Sequence, residues 1–327
     1  MSLHTPPKLW YPRAMLLSIL ISVLMLTTVV LVQSGGLVKE EPRLAAAVSG
    51  KILFGHAGDI WVAENGNIRP LTQGGRYWGQ PDWAPNGSQV ALVGWGSNVT
   101  DLFLLDTETG DMHQVTQSQR RTLQDSDWAF FPRWSPAGDL LGFTADRNTE
   151  YPMLWVSRPD GAAPRQITRA ISPFDGVESF TWSPDGAVIA LTRFTQSTSQ
   201  IHLVNVAGPG ASQQITNEPG GAFDPAWSPD GRYIAYTARS GRKTSIKIHD
   251  TSGGLPPFTL IDAEMVRSPR WAPNGSALAY IGIAGRDFEL HVADITADAD
   301  GMLSAGRPVL LTNRFGVDAT SGLSWAP

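Results

Sequence analysis

Trp182-Ser183-Pro184-Asp185-Gly186 states a five-residue phrase, W-x-P-x-G, on which the rest of the chain is built. The phrase stands also at Trp83-Ala84-Pro85-Asn86-Gly87, Trp134-Ser135-Pro136-Ala137-Gly138, Trp227-Ser228-Pro229-Asp230-Gly231 and Trp271-Ala272-Pro273-Asn274-Gly275. A sixth copy begins at Trp325-Ala326-Pro327. Successive tryptophans lie 51, 48, 45, 44 and 54 residues apart, the period of a four-stranded propeller blade. Each copy reads as a hairpin turn. Pro holds φ near −65°, Asp or Asn suits the next position, and Gly takes the left-handed conformation that closes the loop. The Trp ends the incoming strand and offers a large apolar face to a neighbouring blade.

After each turn comes a large-small-large triplet: Val90-Ala91-Leu92, Leu141-Gly142-Phe143, Ile189-Ala190-Leu191, Ile234-Ala235-Tyr236 and Leu278-Ala279-Tyr280. This alternation suits a strand with one crowded face. A second signal ends the units: Leu71-Thr72, Val115-Thr116, Ile167-Thr168, Ile215-Thr216 and Leu311-Thr312. The fifth unit departs with Leu260-Ile261-Asp262, and the first carries Leu53 where the others have Ala or Gly.

Strands expected at 51–55, 59–63 and 68–72 lack a Trp strand ahead of them, and one expected at 322–325 stands alone. Three strands at the start and one at the end make one blade. The expected fold is therefore all-β, a six-bladed β-propeller of four-stranded blades closed by the C-terminal strand. Closure removes the exposed sheet edges of an open array.

These repeats resemble the TolB-type propeller, the W-S-P-D-G family, over about residues 51–327. The resemblance implies the fold and points to a role in binding other envelope proteins. TolB carries an additional α/β domain ahead of its propeller. Here that place holds an apolar segment and a tether, so the chain resembles a membrane-anchored relative. Related propellers cap prolyl-oligopeptidase-like enzymes, but the chain has no G-x-S-x-G nucleophile elbow.

Ahead of the propeller, residues 1–13 form a short tail containing Lys8 and Arg13. Residues 14–32 carry no charge, and at about 1.5 Å per residue they would span roughly 28 Å, close to a bilayer's hydrocarbon core. We read 14–33 as a transmembrane signal anchor, with Trp10 and Tyr11 at the interface. The competing signal peptide would use Ala45-Ala46-Ala47, some distance downstream. Lys39, Arg43 and Lys51 beyond the span leave the positive-inside count undecided. The layout of short basic tail, one span and one large domain places 51–327 outside the cytoplasm, periplasmic or at the cell surface. Residues 34–50 are a tether rich in Gly, Ser and Ala.

A net charge of −5 with no long Lys/Arg run argues against nucleic acid as a partner. The absence of Cys excludes disulfides, thiolate metal sites and a Cys nucleophile. No cofactor and no metal is expected. His202 and His291 fall at the third-strand position held by Trp61, Phe103 and Trp155 in other blades, too far apart to share an ion. His249 reads as packing too. Asp294 to Gly301 has a superficial calcium-loop look but lacks the full pattern and reads as a turn.

Function is expected on the face shared by interblade loops and by loops between second and third strands; the W-x-P-x-G turns lie opposite. The partner-binding candidates there are Trp78, Arg120, Arg121, Trp128, Phe174, Phe223, Arg267, Arg314 and Phe315, because aromatic and Arg side chains anchor protein interfaces. The connection 116–132 is the longest of these loops. The leading expectation is a non-enzymatic protein- or peptide-binding or scaffolding subunit of a membrane complex. The alternative is a hydrolase or lactonase-like enzyme with a divalent metal in the central channel. That would need carboxylates such as Asp82, Asp127, Asp175, Asp224 and Asp318 to converge, yet their offsets from the Trp differ.

Overall fold

The computed structural model describes residues 49–118, 127–147, 149–195, 198–208 and 211–327. The expected anchor at 14–33 and the candidates Arg120 and Arg121 lie outside the described residues. No helix among the described residues is long and apolar enough to cross a membrane.

Twenty-five strands make up the described chain. The first blade begins with β1 (Lys51–His56), β2 (Asp59–Glu64) and β3 (Asn67–Pro70). Blade two is β4 (Tyr77–Trp83), β5 (Gln89–Trp95), β6 (Thr100–Asp106) and β7 (Met112–Gln114). Blade three is β8 (Ala129–Trp134), β9 (Leu141–Ala145), β10 (Met153–Ser157) and β11 (Arg165–Gln166). Blade four is β12 (Gly176–Trp182), β13 (Val188–Phe194), β14 (Ser199–Asn205) and β15 (Gln213–Gln214). Blade five is β16 (Ala222–Trp227), β17 (Tyr233–Ser240), β18 (Lys243–Asp250) and β19 (Phe258–Asp262). Blade six is β20 (Val266–Trp271), β21 (Ala277–Ala284), β22 (Asp287–Ala297), β23 (Leu303–Ala305) and β24 (Val309–Leu310). The chain ends in β25 (Leu323–Ala326).

Each sheet is antiparallel and runs in sequence order, and β25 completes blade one in the order β25-β1-β2-β3. Phe54 pairs with Leu323 and Lys51 with Ala326, so the ring closes as the repeat count requires. Blade six alone is extended. The eleven-residue β22 pairs with β24 near His291 and with β23 near Thr296, which divides the fourth-strand place in two.

The turns behave as their residues dictate. In the five complete copies Gly has φ between 71° and 78°, and its N–H donates back to the residue after the Trp, as in Gly186 to Ser183 O at 2.9 Å. Where that residue is Ser, its Oγ also accepts the N–H that starts the next strand (Val188 and Tyr233) or stands one residue ahead of it (Leu140). Asn86 and Asn274 instead accept from Ser88 and Ser276.

The triplet works as an interblade ratchet. Val90 and Leu92 turn back towards Leu53, Ile60 and Val62 of blade one, while Ala91 turns forward to Trp134, Leu141 and Phe143 of blade three. At Gly142 a Cβ would stand 2.8 Å from the Phe180 ring and 3.1 Å from Trp182, so the next blade's aromatics occupy the space a side chain would take. In blade one Leu53 fills that forward place, fully buried beside Trp78 and Trp83.

The repeated Thr does not end the last strand; it follows it. Its Oγ accepts the third strand's N–H at 2.8–2.9 Å, from Ile60, Leu102, Leu154, Ile201 and Leu290 in turn. The same hydroxyl donates to the residue one before: Asp59, Asp101, Gln200 or Glu289, and the Met153 sulfur in blade three. Those acidic or amide groups also cap N–H groups of the outgoing loop at Gly74, Ser118, Glu218 and Phe315. This lock fixes where each interblade loop departs.

Candidate functional site

The loop face divides the candidates. Phe174 is 45% exposed and Arg314 is exposed. Trp78 is only 8% exposed; it meets Phe103 edge-on at 5.2 Å and donates from Nε1 to Gly74 O. It belongs to the core between blades one and two, leaving little surface for a partner. Phe315 is half-buried against Phe54, His56 and Trp61. Trp128 stacks on Phe130 at 6.1 Å, Phe223 lies under the Arg239 guanidinium at 5.6 Å, and Arg267 Nε is 3.8 Å from Asp224. These three are half-buried rim residues, partly committed to the fold. The ends of the 116–132 loop meet through Asp127 N donating to Ser118 O.

The acids of the catalytic alternative are engaged in separate contacts, though Asp82 and Asp224 both act on Arg133 and Arg270. Asp175 pairs with Arg193 deep beneath the loop face, while Asp318 accepts from Tyr77 and Thr320. Asp82 and Asp224 sit in inner strands. Among the described residues no three His, Asp or Glu come together in a way that could hold a metal ion. Asp298 accepts from Asp300 N and Met302 N, making an Asx-type turn of the calcium-like segment.

The inner strands hold what the sequence reading passed over. In β4, β8, β16 and β20 the pairing breaks three residues before the Trp, where Gln80, Phe131, Asp224 and Ser268 adopt φ of 50° to 53°. Each is followed by a proline: Pro81, Pro132, Pro225 and Pro269. A bulge already forfeits a ladder bond there, so a residue without an N–H costs nothing further. After the bulge the strand returns to register, and the residue before each Trp faces the small member of the triplet. Asp82 pairs with Ala91, Arg133 with Gly142, Thr181 with Ala190, Ala226 with Ala235 and Arg270 with Ala279. Ser324 takes this place opposite Leu53. These six residues form one level around the axis at the turn face.

All of that level but Ala226 floors a cavity of about 260 Å³, framed by Trp83, Trp134, Trp182, Trp271 and Trp325 and by Pro85, Pro136, Pro273 and Pro327. Asp82 accepts from Trp134 N at 2.9 Å and from Ser324 Oγ at 3.0 Å, and lies 3.7 Å from Arg133. Arg133, 7% exposed, donates from Nη1 to Pro81 O and Pro132 O. Arg270 donates from Nε to Leu323 O at 2.6 Å. Burial first, and then the Arg133 charge, push Arg270 down to about 9 despite Asp82 and Asp224. A charge beside the Trp was the available signal; only Asp82 was weighed there.

Nearer the loop face, Glu178 is pushed up to about 7, first by burial and then by Asp224, with Arg267, Ser199 and Arg239 opposing. A carboxyl raised above its ordinary 4.5 stabilises the fold while protonated. Its contribution is full below about 4.5 and lost as pH rises through 7. Glu178→Gln is expected to raise Tm at pH 8 relative to pH 4.5, checked by melts across that range. An unchanged pH profile would contradict it. His202 is pushed down to about 4 by burial and by Arg193, so it is neutral at pH 7.

No family profile matches the chain. Among curated proteins it is 30% identical over 118 residues to an uncharacterized peptidase, YuxL, of Bacillus subtilis, covering 34% of this chain and 16% of that protein. It is 29% identical over 140 residues to the Tol-Pal system protein TolB of Anaeromyxobacter dehalogenans, covering 43% of this chain and 29% of that protein. The matched stretches thus span less than a third of these relatives. Among solved structures, TolB from Acinetobacter baumannii superposes with a TM-score of 0.67 at 21% identity, over 87% of this chain and 68% of that one. Strand order, ring closure and these likenesses together give the chain a TolB-like six-bladed β-propeller fold.

Proposed function

We propose that this chain is a non-enzymatic binding subunit, anchored in a membrane by residues 14–33, whose propeller engages a protein or peptide partner through its loop face outside the cytoplasm. The observation that carries this reading is the placement of exposed apolar side chains. Of seven large ones among the described residues, five lie at the loop face: Tyr77, Ile171, Phe174, Met265 and Ile283. The other two, Met112 and Val309, sit on outer edge strands. Apolar groups on one rim, which also carries Arg314 and Arg267, suit a protein interface. Likeness to a protein of the Tol-Pal system supports a partner of the same class.

The test is capture of partners by the full chain, crosslinked in cells and extracted in mild detergent. Phe174→Asp with Ile171→Asp is expected to cut recovery at least tenfold without changing Tm. Because the chain has no Cys, Thr109→Cys in an exposed turn reports sidedness to a membrane-impermeant maleimide. A protein that emerges alone, or a label that enters only after lysis, would defeat the reading.

A further inference from the structure

We propose that the turn-face cavity is a carboxylate-binding site, in which the guanidinium groups of Arg133 and Arg270 receive the anion across the axis. This site lies at the opposite end of the channel from the loop face, and no part of the loop-face reading bears on it.

Arg133 and Arg270 occupy equivalent places in blades three and six, opposite Gly142 and Ala279, so they stand across the ring at one level. Both reach towards the closing strand. Arg270 Nε bonds Leu323 O, and Arg133 Nη2 lies 3.6 Å from where a Cβ on Gly322 would stand. Two cations so placed need countercharge, which Asp82 in the lining and Asp224 beyond it supply without satisfying every guanidinium N–H. The only charged side chains lining the cavity are these two and Asp82, whose oxygens already accept from Trp134 N and Ser324. Among the described residues Arg270 has no ion-pair partner, and the buried Arg133 Nε has no hydrogen-bond partner. Burying a charge without a partner is costly, and a ligand that supplies one recovers that cost.

Size and lining narrow the ligand. The volume is far above the roughly 10–15 Å³ that one water needs and near the lower bound of small-molecule pockets. Guanidinium forks match carboxylate geometry. In the cavity lining itself the two arginines meet one acid, Asp82, with Asp224 acting on both from outside the lining, and the Trp and Pro frame suits a short apolar stem. The carboxylate can come from a small organic acid or from the end of a peptide.

The experiment is calorimetric titration of the full chain in detergent with four probes: butyrate, butyramide, acetyl-Ala-Ala as the free acid, and acetyl-Ala-Ala amide. Both acids are expected to bind and both amides to fail. Tighter binding of the peptide acid identifies a chain end as the source, and tighter binding of butyrate identifies a small acid; either supports the site. Arg270→Gln should weaken acid binding about 10- to 100-fold, the loss expected of charge-assisted hydrogen bonds. Should that variant not fold, Thr181→Asp serves instead, since it places a carboxylate beside Arg133 on the same level. It should abolish acid binding and raise Tm, which a purely structural arginine pair does not require. Failure of both acids, equal binding of amides, or unchanged acid affinity in both variants would overturn the proposal.

Discussion

A chain shortened to end at Gly322 is expected to lose its cooperative unfolding transition. The five residues removed include the whole of β25, the inner strand of blade one. Leu323 is fully buried with Ile52, Phe54, Ile281 and Leu290, where blades one and six meet. Leu323→Ala alone should cost about 2–5 kcal/mol, as for other buried Leu truncations. Truncation adds the loss of the β1 ladder, the Ser324 bonds to Trp83 and Asp82, and the Leu323 carbonyl that holds Arg270. It also leaves β1 as an open edge beside Ile52, Leu53 and Phe54. Against a typical domain stability of about 5–15 kcal/mol, that sum exceeds what the ring can lose. Urea titration followed by near-UV circular dichroism reads the outcome. A sharp transition at the wild-type midpoint would show that the ring does not depend on its clasp.

The architecture was legible because the repeat speaks in strong local chemistry. A Trp, a Pro and a Gly at fixed spacing prescribe a strand end, a turn and a left-handed residue, and five copies leave only closure to be inferred. Pairing of Leu323 with Phe54 is that inference realised. The Thr pairs were legible as a signal but not as a device. Their partners, from Asp59 to Glu289, vary in type between blades and lie in the first three residues of the third strand, thirteen to twenty-three residues earlier. No local pattern joins the two ends of such a bond.

The loop face was harder to read. Arg and aromatic residues in loops signal interfaces only when their surroundings leave them free, and sequence does not show surroundings. Trp78 and Phe315 are enclosed by aromatic rings of other strands, whereas Phe174 meets only the Tyr151 ring at 6.2 Å and stays 45% exposed. The axial level was missed for a different reason. Measuring offsets to acids alone separated Asp82 from Asp224 and overlooked Arg133 and Arg270. Each inner strand contributes one residue to that level, so its charge pattern emerges only when six blades are aligned on the Trp and read across.

Asp175→Ala is expected to be among the most destabilising single substitutions at the loop face, by about 3–5 kcal/mol, because it strands a buried guanidinium. Asp175 and Arg193 are 1% and 3% exposed. Arg193 Nε donates to Asp175 Oδ1 at 2.7 Å, and its Nη groups reach Asp175 Oδ2, Ser212 Oγ and Arg169 O. Asp175 also accepts Ile171 N at 2.6 Å. The pair therefore pins both ends of the 169–175 loop, which carries Ile171, the most exposed large apolar residue of the described chain, and Phe174, its neighbour in the proposed interface. Stability and presentation can be separated. Replacing both partners by apolar residues of similar size, Asp175→Leu with Arg193→Met, should recover most of the lost stability, since an apolar pair avoids the desolvation penalty. The loop would still lack its anchor at Ile171 N and Arg169 O, so partner capture should remain impaired while Tm returns. Denaturant midpoints for the two variants, set beside crosslinked recovery of the partner, distinguish these effects. Full capture by the double variant would mean that the ion pair holds the blade together and has no part in shaping the surface above it.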